Sequence, residues 1–170
     1  MSRTPIFDES AIAGQVSRLA REIAMHRPRV ELVVPILTGA FVFAADLLRA
    51  LMREGLDLPV EFISLTRYGQ KRQGADITVR MGASDAARGK HVLLVDGVLD
   101  HGHTLVKAHA LLLDAGATSV AIAVAVDKMR DNALLKADYV AFEGADAFIV
   151  GYGMDDAGLG RGLPYIGKVG

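Results

Sequence analysis

The run from His91 to Leu99 constrains this chain most. Val92, Leu93, Leu94 and Val95 are consecutive and apolar, so neither face of an extended strand there can meet water. A strand buried on both faces needs a layer of helices on each side, which parallel α/β sheets supply. The run ends in a short loop, Asp100 to Thr104, and a helical segment, Thr104 to Ala115, follows. Gly116 suits the end of that helix.

The rest of the chain repeats this alternation. Ile12, Val16, Leu19 and Ile23 recur at helical spacing and predict a helix over Asp8 to Arg27, stopped by Pro28. Val30 to Leu37 is a second buried strand, and Thr38-Gly39 turns it into a helix, Ala40 to Arg53. Pro59 to Arg67 and Ile77 to Met81 read as strands around a polar loop, Gln70 to Asp76. Ser119 to Val126 reads as another buried strand. Tyr139 to Phe142 and Phe148 to Gly151 are short strands, and Gly151 to Gly170 reads as irregular. Strands alternating with helices predict an α/β fold, a twisted, mainly parallel sheet flanked by helices.

Composition bounds the function. At 170 residues the chain suits one domain, residues 1–170, able to bury roughly 70% of its unfolded surface. Nineteen basic and twenty acidic residues leave a net charge of -1, without the basic excess of a nucleic-acid binder. The absence of cysteine excludes disulfides, thiolate metal sites and cysteine nucleophiles. The longest uncharged apolar stretch, Leu32 to Ala45, is interrupted by Pro35 and Gly39 and falls short of the roughly 20 residues a spanning helix needs. The expectation is a cytoplasmic protein with no membrane and no nucleic-acid partner.

Ligands of parallel sheets bind beyond the carboxyl ends of strands, where helix N-termini favour phosphate. Val92 to Leu105, VLLVDGVLDHGHTL, has that layout. Asp96 and Asp100 stand four apart, Gly102 permits close backbone approach, and Thr104 can cap the helix and bind an anion. Two other readings exist: Asp100 as a mere helix cap, or Asp100, His101 and His103 as a metal site.

This segment resembles the phosphoribosyl diphosphate (PRPP) motif of the type I phosphoribosyltransferases. Leu37-Thr38-Gly39-Ala40 resembles the pyrophosphate loop of that family, and Thr66-Arg67-Tyr68-Gly69 the start of its mobile loop. Asp127-Lys128 resembles the base-recognising pair. Phe148 to Asp155 and Arg161 to Gly167 resemble the C-terminal block of the hypoxanthine-guanine branch. The resemblance spans about Val33 to Val169.

It implies purine salvage: transfer of the phosphoribosyl group from PRPP to N9 of a 6-oxopurine, giving pyrophosphate and a purine nucleoside monophosphate. It implies that Asp100 is catalytic, at the purine N7 proton. Thr38, Gly39, Asp96, His101, Gly102, His103, Thr104 and Arg161 would hold PRPP and its phosphates. Lys128 would donate to O6, Phe148 would stack on the purine, and the Ile149 backbone would meet the base edge. Arg67, Tyr68 and Gly69 would begin a lid. Asp155 and Asp96 would bind Mg2+, the implied cofactor. A small C-terminal hood, mainly residues 138–170, and a homodimer or homotetramer are also implied.

The sequence departs from the motif. Gly97 stands where a second acid is usual, and Asp96 where glutamate is usual. His101 replaces Thr or Ser, Thr38 a basic residue, and Ala40 a serine. A lost hydrogen bond to a charged group costs about 1.5–3 kcal/mol, roughly ten- to a hundredfold in binding. These departures set up an alternative: a non-catalytic or weakly active PRPP or nucleotide-binding regulator on the same fold.

Overall fold

The computed structural model describes residues 3–26, 28–67 and 76–170. In chain order the elements are β1 (Arg3–Phe7), α1 (Glu9–Met25), β2 (Leu32–Leu37), α2 (Phe41–Arg53), β3 (Ile63–Arg67) and β4 (Ile77–Met81). Then come β5 (His91–Leu99), α3 (His103–Asp114), β6 (Ser119–Asp127), β7 (Tyr139–Glu143), β8 (Ile149–Val150) and β9 (Ile166–Val169). Among the described residues no helix is long and apolar enough to cross a membrane.

Six strands form one sheet in the order β4-β3-β2-β5-β6-β7. Every pair is parallel except β3 with β4. The apolar runs are explained by the two faces. Val33, Leu93, Val95, Ala123 and Ala125 point into a core shared with Ile12, Val16, Leu19 and Ile23 of α1 and Phe43, Leu47 and Leu51 of α2. Leu32, Val34, Val92, Leu94, Ile122 and Val124 point the other way, into a core shared with Leu105, Ala108 and Leu112 of α3. Alternate residues of one strand thus fill two cores.

α1 starts one residue later than its periodicity predicts, because Asp8 caps it: Oδ1 of Asp8 accepts from the Ala11 N–H at 2.8 Å. It ends at Met25, where His26 turns extended, short of its predicted end at Arg27, a residue that lies outside the described ones. Replacing the cap by alanine costs about 1 kcal/mol. We therefore expect Asp8→Ala to lower the melting temperature by roughly 2–4 °C. An unchanged calorimetric melting curve would show that the cap contributes nothing.

Some boundaries differ from expectation. The strand predicted from Pro59 is regular only from Ile63. Val33 pairs with Val60, and β2 meets β3 again at Ile36 and Ile63. Pro35 falls between, and with no N–H it cannot continue the ladder. Gly151 to Gly170 is not all irregular, since β9 lies within it. β9 pairs antiparallel with β8 and with β1, a strand the sequence reading missed. The segment 138–170, expected as a hood, therefore divides. Tyr139–Glu143 is an edge of the large sheet, while β8 and β9 join Arg3–Phe7 in a small one.

The strand order places the site. From β2 the chain moves outward through α2 to β3, and from β5 it moves the opposite way through α3 to β6. The order reverses between β2 and β5, and a crevice opens beyond the carboxyl ends of strands at such a switch point.

Candidate active site

Two loops flank that crevice. Thr38 and Gly39 follow β2, joined to it by a cis Leu37–Thr38 peptide. Asp100 to Gly102 follow β5. Gly102 occupies the cap position of α3 with φ of 91°, a left-handed conformation that glycine adopts without cost. The helix begins at His103, so Thr104 lies in its first turn and is not the cap expected from sequence. The first backbone N–H groups of a helix have no intrahelical acceptor, so the turn from His103 presents donors to an anion. Asp100 is no cap either. It stands two residues before Gly102, and its carboxylate turns to cations on another loop.

Those cations follow β6. Lys128 Nζ lies 3.3 Å from Asp100 Oδ2, and Arg130 Nε donates to Asp100 Oδ1 at 2.9 Å. The Lys128 side chain is only 9% exposed, whereas Asp100 is 40% exposed. Backbone bonds fasten the loops: the Lys128 N–H donates to the Leu99 carbonyl and the Leu134 N–H to that of His101, each at 2.9 Å. Burial raises the Asp100 carboxyl pKa. The hydrogen bond from Arg130 and the charge of Lys128 more than offset this, so Asp100 ionises below the usual carboxylate range.

A second cluster sits toward β2. Asp96 lies within β5, whereas Asp100 follows its last residue, Leu99. Asp96 Oδ1 accepts from the Gly97 N–H at 2.7 Å and lies 4.0 Å from where a Gly39 Cβ would stand. A Cβ at Gly97 would lie 3.0 Å from the Gly39 carbonyl oxygen and 3.2 Å from Met154 Cγ. A Cβ at Gly153 would lie 2.6 Å from that same oxygen. The C-terminal segment therefore packs directly on the β2 loop. Arg161 donates to the Gly153 carbonyl at 2.7 Å and pairs with Asp155 at 2.8 Å.

Phe148 is 48% exposed, unlike the core aromatics such as Phe43. Ile149 is buried in β8, where it pairs with Lys168 of β9. Arg67 ends β3, paired with Ile77, whereas Tyr68, Gly69 and the expected lid, 70–75, lie outside the described residues. The rings of His101 and His103 lie 6.4 Å apart. Among the described residues, no group of three or more His, Cys, Asp or Glu is placed to hold a metal ion, so the alternative metal site at Asp100, His101 and His103 is not formed.

Magnesium is the group to test against this donor set. Asp155 supplies one carboxylate beside the β2 loop, with Oδ1 on Arg161 and Oδ2 accepting from the Gly158 N–H at 2.7 Å. One carboxylate suits Mg2+ when phosphate oxygens complete the shell. The residues fit an ion that arrives with a diphosphate, which would also compete for Arg161.

Two participants escaped the sequence reading. Arg130 looks like a solvated cation in a polar loop, and Asp146 like a loop acid. Yet Arg130 Nη1 donates to Asp146 Oδ1 at 2.7 Å while Nε holds Asp100. The only local signal was a second cation two residues after Lys128.

Known proteins resemble this arrangement. Residues 2–157 match the family described as the phosphoribosyl transferase domain. A hypoxanthine-guanine phosphoribosyltransferase of Dictyostelium discoideum is 34% identical, over 99% of this chain and 96% of that protein. One of Aquifex aeolicus is 37% identical, over 95% and 91%. A solved hypoxanthine phosphoribosyltransferase of Trypanosoma cruzi, in complex with the product IMP, has a TM-score of 0.85 at 28% identity, covering 99% of this chain and 94% of that one. A hypoxanthine-guanine phosphoribosyltransferase of Bacillus anthracis has a TM-score of 0.85 at 30% identity, with both chains fully covered.

Proposed function

The chain belongs to the phosphoribosyl transferase family, on its hypoxanthine-guanine branch, and from that premise we propose that it transfers the 5-phosphoribosyl group of PRPP to N9 of a 6-oxopurine in purine salvage, releasing pyrophosphate and IMP or GMP. One observation carries the reading. A carboxylate and an ammonium, Asp100 and Lys128, stand 3.3 Å apart beyond the carboxyl ends of two adjacent parallel strands. A 6-oxopurine presents N7 and O6 side by side on one edge. Asp100 accepts from N7–H, and Lys128 donates to O6. Adenine has an amino group at that position, a donor facing a donor, and is rejected.

The remaining roles follow. Phe148 stacks on the base, and the Ile149 backbone meets its edge. The backbone N–H groups from His101 to Thr104, with the Thr104 hydroxyl and the two histidines, hold the 5′-phosphate. Asp96 takes a ribose hydroxyl. Thr38, Gly39 and Arg161 hold the diphosphate, Arg161 through its planar fork. Asp155, with Asp96 beside the loop, would hold Mg2+ entering with the diphosphate, and the ion would supply charge neutralisation there. As N9 bonds to C1, the C1–O bond to pyrophosphate breaks, and Asp100 takes the N7 proton. By resemblance to the family, Arg67, Tyr68 and Gly69 would begin the lid that excludes water. Its donor substrate, PRPP, is a phosphate ester that does not cross membranes freely, which supports a cytoplasmic location, and its resemblance to the family supports a homodimer or homotetramer.

The test is a steady-state assay with PRPP, magnesium and each of hypoxanthine, guanine, xanthine and adenine. Turnover of a 6-oxopurine without turnover of adenine is expected. Lys128→Met should lower kcat/KM for the base roughly ten- to a hundredfold, the worth of one charged hydrogen bond. Equal use of adenine, or no turnover alongside calorimetric binding of PRPP, would overturn the proposal. Nothing in the relatives favours a non-catalytic regulator.

A further inference from the structure

The two cations on Asp100 are not equivalent. Lys128 is nearly buried and, under the function proposed above, must leave Oδ2 of Asp100 to reach O6 of the base. Arg130 has no such duty. Its Nε stays on Asp100 Oδ1, and its Nη1 is on Asp146, a side chain 79% exposed in the segment leading to Phe148. His101, on the loop of Asp100 itself, reaches within 3.8 Å of Oδ1 and is the third nitrogen group facing that carboxylate. The loop of Arg130 is itself braced: Asp127 Oδ1 accepts from the Met129 N–H at 2.7 Å, and the Gly144 N–H donates to the Asp127 carbonyl at 2.9 Å.

We propose that Arg130 is a positioning residue for the transfer. Its fork fixes the plane of the Asp100 carboxylate and ties it, through Asp146, to the segment that carries Phe148. The acid facing N7 and the ring facing the base plane are then set by one rigid group. The inference rests on the 6-oxopurine reading of this site. A guanidinium can do this because its donors lie in a fixed planar fork, which an ammonium lacks.

The consequence has a sign. Arg130 and Lys128 hold Asp100 ionised below the usual carboxylate range. Removing Arg130 leaves burial less opposed, so the Asp100 pKa rises. The kcat/KM profile reports groups of the free enzyme, so its acid limb moves to higher pH.

Three variants test this. Arg130→Met should lower kcat/KM for hypoxanthine roughly ten- to a hundredfold, with the PRPP KM near parental and the acid limb shifted upward. Arg130→Lys should keep the acid limb near parental without restoring turnover, since one ammonium does not span both carboxylates. Asp146→Asn should leave the acid limb in place and lower turnover less than Arg130→Met does. If Arg130→Met does not fold, Arg130→Gln takes its place. Parental kcat/KM and an unmoved limb in the neutral variant would overturn the proposal. So would a loss that follows only a lower melting temperature and a raised PRPP KM. The NMR titration of the Asp100 carboxyl carbon needs no turnover, and its midpoint must rise when Arg130 is neutralised. An unchanged midpoint sinks this inference even in an active enzyme. An enzyme inactive on every 6-oxopurine sinks the transfer reading instead.

Discussion

Asp100→Asn is expected to lower turnover by roughly 10²–10⁴-fold, the usual contribution of a positioned acid or base, with PRPP affinity near that of the parent. Asparagine is almost the same shape, so the loop keeps its geometry. Its single carbonyl can accept from Arg130 or from the base, but its amide presents donors where Lys128 and N7–H already donate. The variant also cannot take the N7 proton. Steady-state kcat and calorimetric PRPP affinity separate the two effects, and parental turnover would remove Asp100 from the chemistry. The same carboxylate links stability to pH. Its folded pKa is depressed, so its contribution is fully present above the unfolded carboxyl value of about 3.9 and is lost as pH falls through the lower folded value. The parent should therefore lose more stability than Asp100→Asn on acidification through that window.

Gly97→Asp is expected to weaken PRPP binding, although the motif casts it as the restoration of a missing acid. A Cβ at residue 97 meets the Gly39 carbonyl oxygen at 3.0 Å and Met154 Cγ at 3.2 Å. Methionine can move, but the Gly39 contact is with a backbone oxygen, and the Gly153 backbone packs on that same oxygen closely enough that a Cβ there would lie 2.6 Å away. Overpacking of this kind costs about 1–3 kcal/mol. If the strain falls on the loop that holds the diphosphate, affinity drops roughly five- to a hundredfold. Gly97→Ala should show a smaller loss of the same sign. Pairing Gly97→Asp with Met154→Ala should recover only part of it, since the Gly39 contact persists. Tighter PRPP binding in the single variant would mean that the loop yields and that glycine is a deficit. The expected result means that the site is built around glycine, with Asp96 as the one acid of the pair.

The elements legible in advance were those whose signal is local. β5 falls on His91–Leu99 as its apolar run predicts, and α3 is shifted by one residue at each end, starting at His103 because the left-handed Gly102 takes the cap in place of Thr104. Asp100 stood out as an acid at the end of a buried strand, whereas Lys128 entered only through the resemblance; the structure brings the two together because adjacent parallel strands end side by side. β1 was not legible. Arg3–Phe7 contains a proline, is half exposed and pairs only with β9, so no periodicity marks it. The small sheet it forms joins residues from the two ends of the chain.

The sequence by itself determined the two-sided sheet, the loops at its carboxyl edge and the residue types waiting there, because burial period and strand-end position are properties of neighbouring residues. Only the tertiary structure decided that Arg130 spans Asp100 and Asp146, and that Gly97 backs onto Gly39 and Met154 rather than awaiting an acid. Those facts depend on the meeting of segments 16 to 58 residues apart in the chain, at distances of about 3 Å. A contact of that kind is set by how the loops pack, and it leaves no pattern in the residues on either side.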